Sequence, residues 1–230
     1  GLVLGYVHST NYPEVRDVTK PIDLEFFYDC SSPWTYFAFT RMVPLAERLD
    51  VPVRWRPILV GGVFNAVNQQ VYSSREEMFT RPENERKLAY YLKDLGDWAR
   101  LCGVTARWPE GHPINSVKAM RGAFFAYEQG LLLPYSRTVF AAYWVGATPD
   151  IASDEVLRAI CRQVGLDPAG FFDAIASQPY KDRLRSNTDE LIERGGFGSP
   201  TIFINGDDMY FGNDRLPLVE YRLQQLLAQQ

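Results

Sequence analysis

Strand signals are confined to the two ends of the chain, and roughly a hundred residues of helical periodicity separate them, too long a stretch for a loop. Any fold must build its sheet from segments far apart in sequence and accommodate a helical block beside it. At the N-terminal side, Asp23 to Asp29 alternates and then thickens with aromatics, as a strand entering a core does. The turn Cys30-Ser31-Ser32-Pro33 follows, its serine suited to a helix cap and its proline to the first helical position. The spacing predicts a helix through Trp34, Phe37, Ala38 and Met42 to about Leu49, kinked or split by Pro44. Val51 to Leu59 reads as a second strand, with Pro52 near its start or on an edge. Strand, helix, strand at this spacing is a right-handed crossover with parallel strands.

Within the block, Arg86 to Leu101 stops at Cys102-Gly103 and Ser116 to Gln129 stops at Gly130. Ser153 caps a helix that carries Asp154 and Glu155 in its first turn and ends at Gly165, and Asp167-Pro168 starts another. After a helix from Lys181 to Arg194, strands return: Thr201 to Ile204, a turn at Asn205-Gly206, and Asp208 to Phe211. Gly212-Asn213-Asp214 then opens a final helix with Leu216, Val219, Leu223 and Leu226 at helical spacing. The expected organisation is an irregular N-terminal extension over 1–22, a sheet domain from 23–72 and 180–230, and an inserted all-helical subdomain over 73–179. The order βαβ, helices, ββα is an α/β, thioredoxin-like plan with a helical insertion.

Composition removes several function classes. Against 28 acidic residues, 24 Lys and Arg leave a net charge of −4, without the basic excess a phosphate backbone demands, which argues against nucleic acid as a partner. Cys30, Cys102 and Cys161 are too widely spaced for a disulfide framework or zinc knuckle, and a reducing cytoplasm is expected. No apolar run approaches the ~18 residues of a membrane span. With only His8 and His112, a His-rich metal site is excluded and no metal is expected; a Ser-His-Asp triad would have to use one of two poorly placed residues. His112 is read as a surface residue.

The string Phe27-Tyr28-Asp29-Cys30-Ser31-Ser32-Pro33-Trp34-Thr35-Tyr36, the later Phe197-Gly198-Ser199-Pro200-Thr201 and Phe211-Gly212-Asn213-Asp214-Arg215 together resemble the 2-hydroxychromene-2-carboxylate isomerases. These enzymes and the kappa-class glutathione transferases form a branch of the DsbA-like thioredoxin superfamily. The resemblance spans about Asp23 to Leu227, including Arg56 to Phe64 and the stretch from Arg107-Trp108-Pro109 to Asn115. It implies that Ser32 stands where the disulfide oxidoreductases have their attacking cysteine and Thr35 where they have the resolving one, so dithiol chemistry is lost. Cys30 lies two residues too early and reads as a buried core thiol. Pro200 matches the superfamily's cis-proline, whose neighbour Ser199 pairs through its backbone with the cysteinyl part of glutathione. Asn213 and Asp214 match residues that hold the γ-glutamyl end.

Other candidates stay open. Asn65, Asn68 and Gln69 compete for one asparagine position of the family, with Asn68 favoured. Trp34, Phe64, Tyr90, Tyr91 and Trp108 are candidates to line a flat aromatic substrate pocket, although aromatics at helical spacing also make cores. Asn115 matches a recurring Pro-x-Asn and is a candidate substrate contact. Ser32 reads as helix cap or thiolate partner, and Asp214 as cap, ammonium ligand or both.

The resemblance implies a glutathione-dependent cis-trans isomerase in which a thiolate held at Ser32 adds to the substrate, the ring opens, a bond rotates, and expulsion of the thiolate leaves a trans-alkene. Glutathione is the expected cofactor, a small aromatic or electrophilic molecule the expected partner, and a homodimer the family habit. A kappa-like transferase or peroxidase is one rival, and a non-catalytic binding protein that keeps the fold is another.

Overall fold

The structure is a computed structural model that describes residues 21–145 and 150–230. The expected irregular arm lies, up to residue 20, outside the described residues. Four strands, β1 (Leu24–Tyr28), β2 (Val53–Pro57), β3 (Thr201–Ile204) and β4 (Asp208–Phe211), form one sheet in the order β2-β1-β3-β4. β1 pairs with β2 in parallel and with β3 antiparallel, and β4 completes a hairpin with β3. Ten helices accompany them among the described residues: α1 (Pro33–Leu49), α2 (Val60–Val67), α3 (Gln70–Thr80), α4 (Glu85–Cys102), α5 (Val117–Glu128), α6 (Leu132–Trp144), α7 (Asp154–Val164), α8 (Pro168–Ala176), α9 (Gln178–Glu193) and α10 (Leu216–Leu227). This is the α/β thioredoxin-like fold with a helical insertion that the element order predicts.

Alternation along β1 explains why both sheet faces are covered. Leu24, Phe26 and Tyr28 enter a large core shared with Phe39, Tyr135, Phe140, Trp144 and Phe171, so sheet and helical block share one interior. Phe27 points the other way, into a smaller core with Ile58, Val63, Leu191 and Phe203. On that face Glu25 is buried and ion-paired to Arg56 at 2.5 Å and to Arg194 at 2.7 Å.

Local expectations hold where local chemistry decides. Gly103 and Gly165 end α4 and α7 in the left-handed conformation, and the Ser153 hydroxyl accepts from the N–H of Glu155. Three expectations need correction. α1 runs through Pro44 in one piece, so the proline does not split it. α2 falls between the second strand and the helical block, where no helix is expected: Gly61 and Gly62 are weak helix formers, but a Cβ on Gly62 would sit 3.3 Å from Thr188 Cγ2 of α9, and close packing there outweighs propensity. A 3-10 turn over Asn213–Arg215 precedes α10, and neither it nor α10 has a side-chain cap, so Asp214 does not cap the last helix.

Candidate active site

The antiparallel register sets the site. β1 pairs Phe27 with Thr201; continued past the strand ends, it brings Asp29 beside Ser199, where the Asp29 N–H donates to Ser199 Oγ at 3.2 Å. The Ser199–Pro200 peptide bond is cis. Immediately after Asp29 the chain turns into α1. Ser32 caps that helix: its hydroxyl accepts from the Thr35 N–H at 3.2 Å and donates to the Ser199 carbonyl at 3.3 Å. Thr35 Oγ1 and Ser199 Oγ are hydrogen-bonded at 2.8 Å. Three polar side chains and the Asp29 backbone N–H, from two distant segments, thus form one buried cluster at a helix start. Gly198 has no room for a side chain, since a Cβ there would sit 2.8 Å from the Phe211 ring.

Asp29 holds the neighbouring elements in register. Its Oδ1 accepts from the Ser31 N–H at 2.9 Å; its Oδ2 accepts from the Val60 N–H at 2.9 Å and from the Ser116 hydroxyl at 3.1 Å. Leu59, at the N-cap of α2, has no side chain that can accept, so Asp29 supplies the acceptor from another strand. Burial pushes the Asp29 carboxyl above the ordinary carboxylate value and outweighs the opposing pull of these donors.

Above this cluster opens a cavity of about 640 Å³, within the usual range for small-molecule sites. Ser32, Ser199, Asn68, Trp34, Phe64 and Asn115 all line it. Of the three competing amides, Asn68 lines the wall and donates to the Phe197 carbonyl at 3.2 Å, whereas Asn65 and Gln69 are exposed and outside the lining. Pro200, Asn213 and Asp214 do not line it. Asn213 is buried and its Nδ2 has no hydrogen-bond partner among the described residues; Asp214 is exposed, with Oδ2 paired to Arg215 at 2.7 Å. Cys30 is buried, outside the lining, and burial raises its thiol well above the ordinary value.

Two aromatic and histidine expectations are overturned. Tyr90 is 67% exposed and points away from the cavity lining, because the helical period assigns the wall to its neighbour Tyr91. His112 is no surface residue: it is half-buried in the wall, 4.5 Å from the Trp108 ring, with Nδ1 2.9 Å from the Tyr143 hydroxyl and Nε2 3.4 Å from an Arg75 guanidinium nitrogen. Burial, aided by Arg75, pushes its pKa down to about 4. Asp29, Arg75 and His112 are the wall residues that sequence reasoning missed. A carboxylate directly after the aromatic end of a strand was a usable signal for Asp29; nothing local distinguishes Arg75.

A family model described as the DSBA-like thioredoxin domain matches residues 23–224. The chain belongs to this DsbA-like family. Within it, the chain is 30% identical over 207 residues to a 2-hydroxychromene-2-carboxylate isomerase of Pseudomonas putida, covering 90% of this chain and 96% of that one. It is 25% identical to glutathione S-transferase kappa 1 of Rattus norvegicus, covering 88% and 91%. A solved 2-hydroxychromene-2-carboxylate isomerase structure superposes with a TM-score of 0.73 at 30% identity, over 90% of this chain and 96% of that one. This DsbA-like chain therefore sits in the branch that holds these isomerases and the kappa-class transferases, with Ser32 and Thr35 at the start of its first helix.

Proposed function

We propose that this chain is a glutathione-dependent isomerase of the 2-hydroxychromene-2-carboxylate type, acting on a small aromatic acid-like substrate. The observation that carries the reading is the serine hydroxyl at the α1 start, beside the Ser199–Pro200 loop and open to a mainly apolar cavity whose lining, among the described residues, has no cysteine. The relatives that bear the isomerase name support the reaction class, and the kappa-class relative supports glutathione.

The residues present fit glutathione. The buried Asn213 Nδ2 is a donor with no acceptor among the described residues, and Asp214 keeps Oδ1 outside its pair with Arg215. With Ser199 and Asn68 in the wall, these residues would hold the tripeptide. When bound, glutathione supplies a thiol that reacts as its thiolate. Ser32 spends its proton on a long 3.3 Å bond to the Ser199 carbonyl, so the hydroxyl can turn to a charged sulfur at little loss. A hydrogen bond to a charged group contributes roughly 1.5–3 kcal/mol, about one to two pKa units, enough to bring a thiol from about 8.5 to near 7. The Trp34 N–H, in the first turn of α1, lacks an acceptor within the helix and adds the positive end of its dipole. Trp34, Phe64 and Trp108 in the wall exclude water.

The test is calorimetric titration with glutathione, followed by product analysis with a hydroxychromene carboxylate. Binding, with isomer as product and glutathione recovered unchanged, is expected. A stable conjugate would make the chain a transferase; no glutathione binding at millimolar concentration would leave a binding protein that keeps the fold.

A further inference from the structure

Beyond the Ser32 end, the cavity wall is a continuous run of rings. Trp34 meets Tyr91 edge-on at 5.6 Å, Tyr91 meets Trp108 at 6.0 Å, and Trp108 lies against His112 at 4.5 Å. On His112 rests Arg75, from α3. Arg75 is the one cationic side chain in the lining among the described residues, and it forms no ion pair with a described carboxylate. The lining's one acid, Asp29, has both oxygens engaged by Ser31, Val60 and Ser116. The aromatic end of the cavity thus holds one cation that no described carboxylate pairs.

The hydrogen-bond chemistry fixes the histidine. A guanidinium has donors only, so the Nε2 facing Arg75 must be an acceptor, which puts the proton on Nδ1 and aims it at the Tyr143 oxygen. That oxygen also accepts from the Ile114 N–H at 2.9 Å. His112 thus stands neutral, anchored from behind, and takes one of the five guanidinium donors, leaving the rest of the fork for a ligand.

We propose that Arg75, held in orientation by His112, receives the carboxylate of a planar aromatic acid whose ring lies against Trp34, Tyr91 and Trp108. The assignment rests on the reading of this cavity as the substrate site. A planar fork matches a carboxylate in bidentate fashion, and a single cation balances a monoanion; a phosphate monoester would bring more charge than this wall can meet. Arg75 is a binding residue in this scheme and His112 a positioning residue.

The test uses 2-naphthoate and its uncharged isostere 2-naphthamide, titrated at neutral pH against tryptophan fluorescence, with glutathione titrated separately by calorimetry. Wild type should bind the acid at least about tenfold more tightly than the amide, as a charge-assisted pair implies. Arg75→Gln should bring the ratio close to one with amide affinity within about twofold, and Arg75→Lys should keep part of it. His112→Leu should lower the acid-to-amide ratio several-fold without changing amide affinity, a readout that a purely structural role would not move. An unchanged ratio in Arg75→Gln, equal loss of both probes, or no preference in wild type would overturn the proposal. So would a loss of glutathione affinity in Arg75→Gln with the ratio intact, because Arg75 would then hold a carboxylate of glutathione. If wild type binds no glutathione yet Arg75→Gln abolishes the acid preference, this assignment stands and the glutathione reading falls.

Discussion

Replacing Asp29 by asparagine isolates what a single buried carboxylate does for the site. The Oδ1 bond from the Ser31 N–H survives the change, and the Ser116 hydroxyl can rotate to accept from the new amide. The Val60 N–H cannot be rescued, since an amide nitrogen is no acceptor, and a buried donor without a partner costs about 1–3 kcal/mol. The variant should be less stable by that amount in acid. The pH dependence adds a second, independent signature. Because the carboxyl of the folded protein lies above its ordinary value of 3.8, the folded state binds more protons than the unfolded state just above that value. Stability contributed by this group is therefore full at low pH and declines as pH rises through and beyond the ordinary carboxylate range. Asparagine has no such decline, so the gap between wild type and variant should narrow with rising pH. Urea unfolding followed by tryptophan fluorescence at stepped pH measures both. A variant within about 0.5 kcal/mol of wild type at every pH would refute the capping role of Asp29. A gap that widens with pH would show that the donors, not burial, govern this carboxylate.

Ser32→Ala should lower turnover roughly ten- to a hundredfold while changing glutathione affinity much less, the thiolate bond being worth about 1.5–3 kcal/mol; titration of the bound thiol should show a higher pKa than in wild type. His112→Gln should remove a component of stability that wild type loses as pH falls from the ordinary imidazole value of 6.5 toward about 4, because the unfolded chain takes up that proton first; differential unfolding at paired pH values reads it. Glu25→Ala leaves Arg56 and Arg194 without their shared buried partner, and loss of about 3 kcal/mol is expected in urea unfolding, near the low end for a broken buried pair because both retain Glu190. Gly122→Ala drives a methyl into the Phe171 ring and the Tyr135 hydroxyl, and a loss of roughly 1–3 kcal/mol should appear in the same assay.

What could be read from sequence follows from how local each cause is. The α1 start was legible because Ser32-Pro33 encodes its own cap, and the Asn205-Gly206 turn because both residues adopt positive φ. α2 was not, since its stability comes from the fit of Gly62 against Thr188 and from an acceptor, Asp29, on another strand. The same holds within the site. Ser32 and Ser199 could be singled out from short motifs and Asn68 only as one of three competing amides, whereas Arg75 and His112 acquire their meaning only when α3 and the segment before α5 are brought to one wall. His112 was misjudged because an isolated polar residue between prolines and glycine has no local mark of burial. Of the two roles open to Asp214, the cap fails because the helix begins two residues later.

The sheet order also has a consequence for how the chain is made. β1 lies between β2 and β3, and β3 leaves the ribosome only after the whole helical block has been synthesised. Until then Leu24–Tyr28, whose five residues are all buried in the finished protein, keeps one backbone edge unpaired beside a nascent apolar core. Such an edge recruits any other strand that reaches it. Nascent chains stalled before Thr201 should therefore be prone to cross-chain pairing and dependent on holding factors, and release of β3 and β4 is the event that both closes this edge and delivers Ser199 to Ser32.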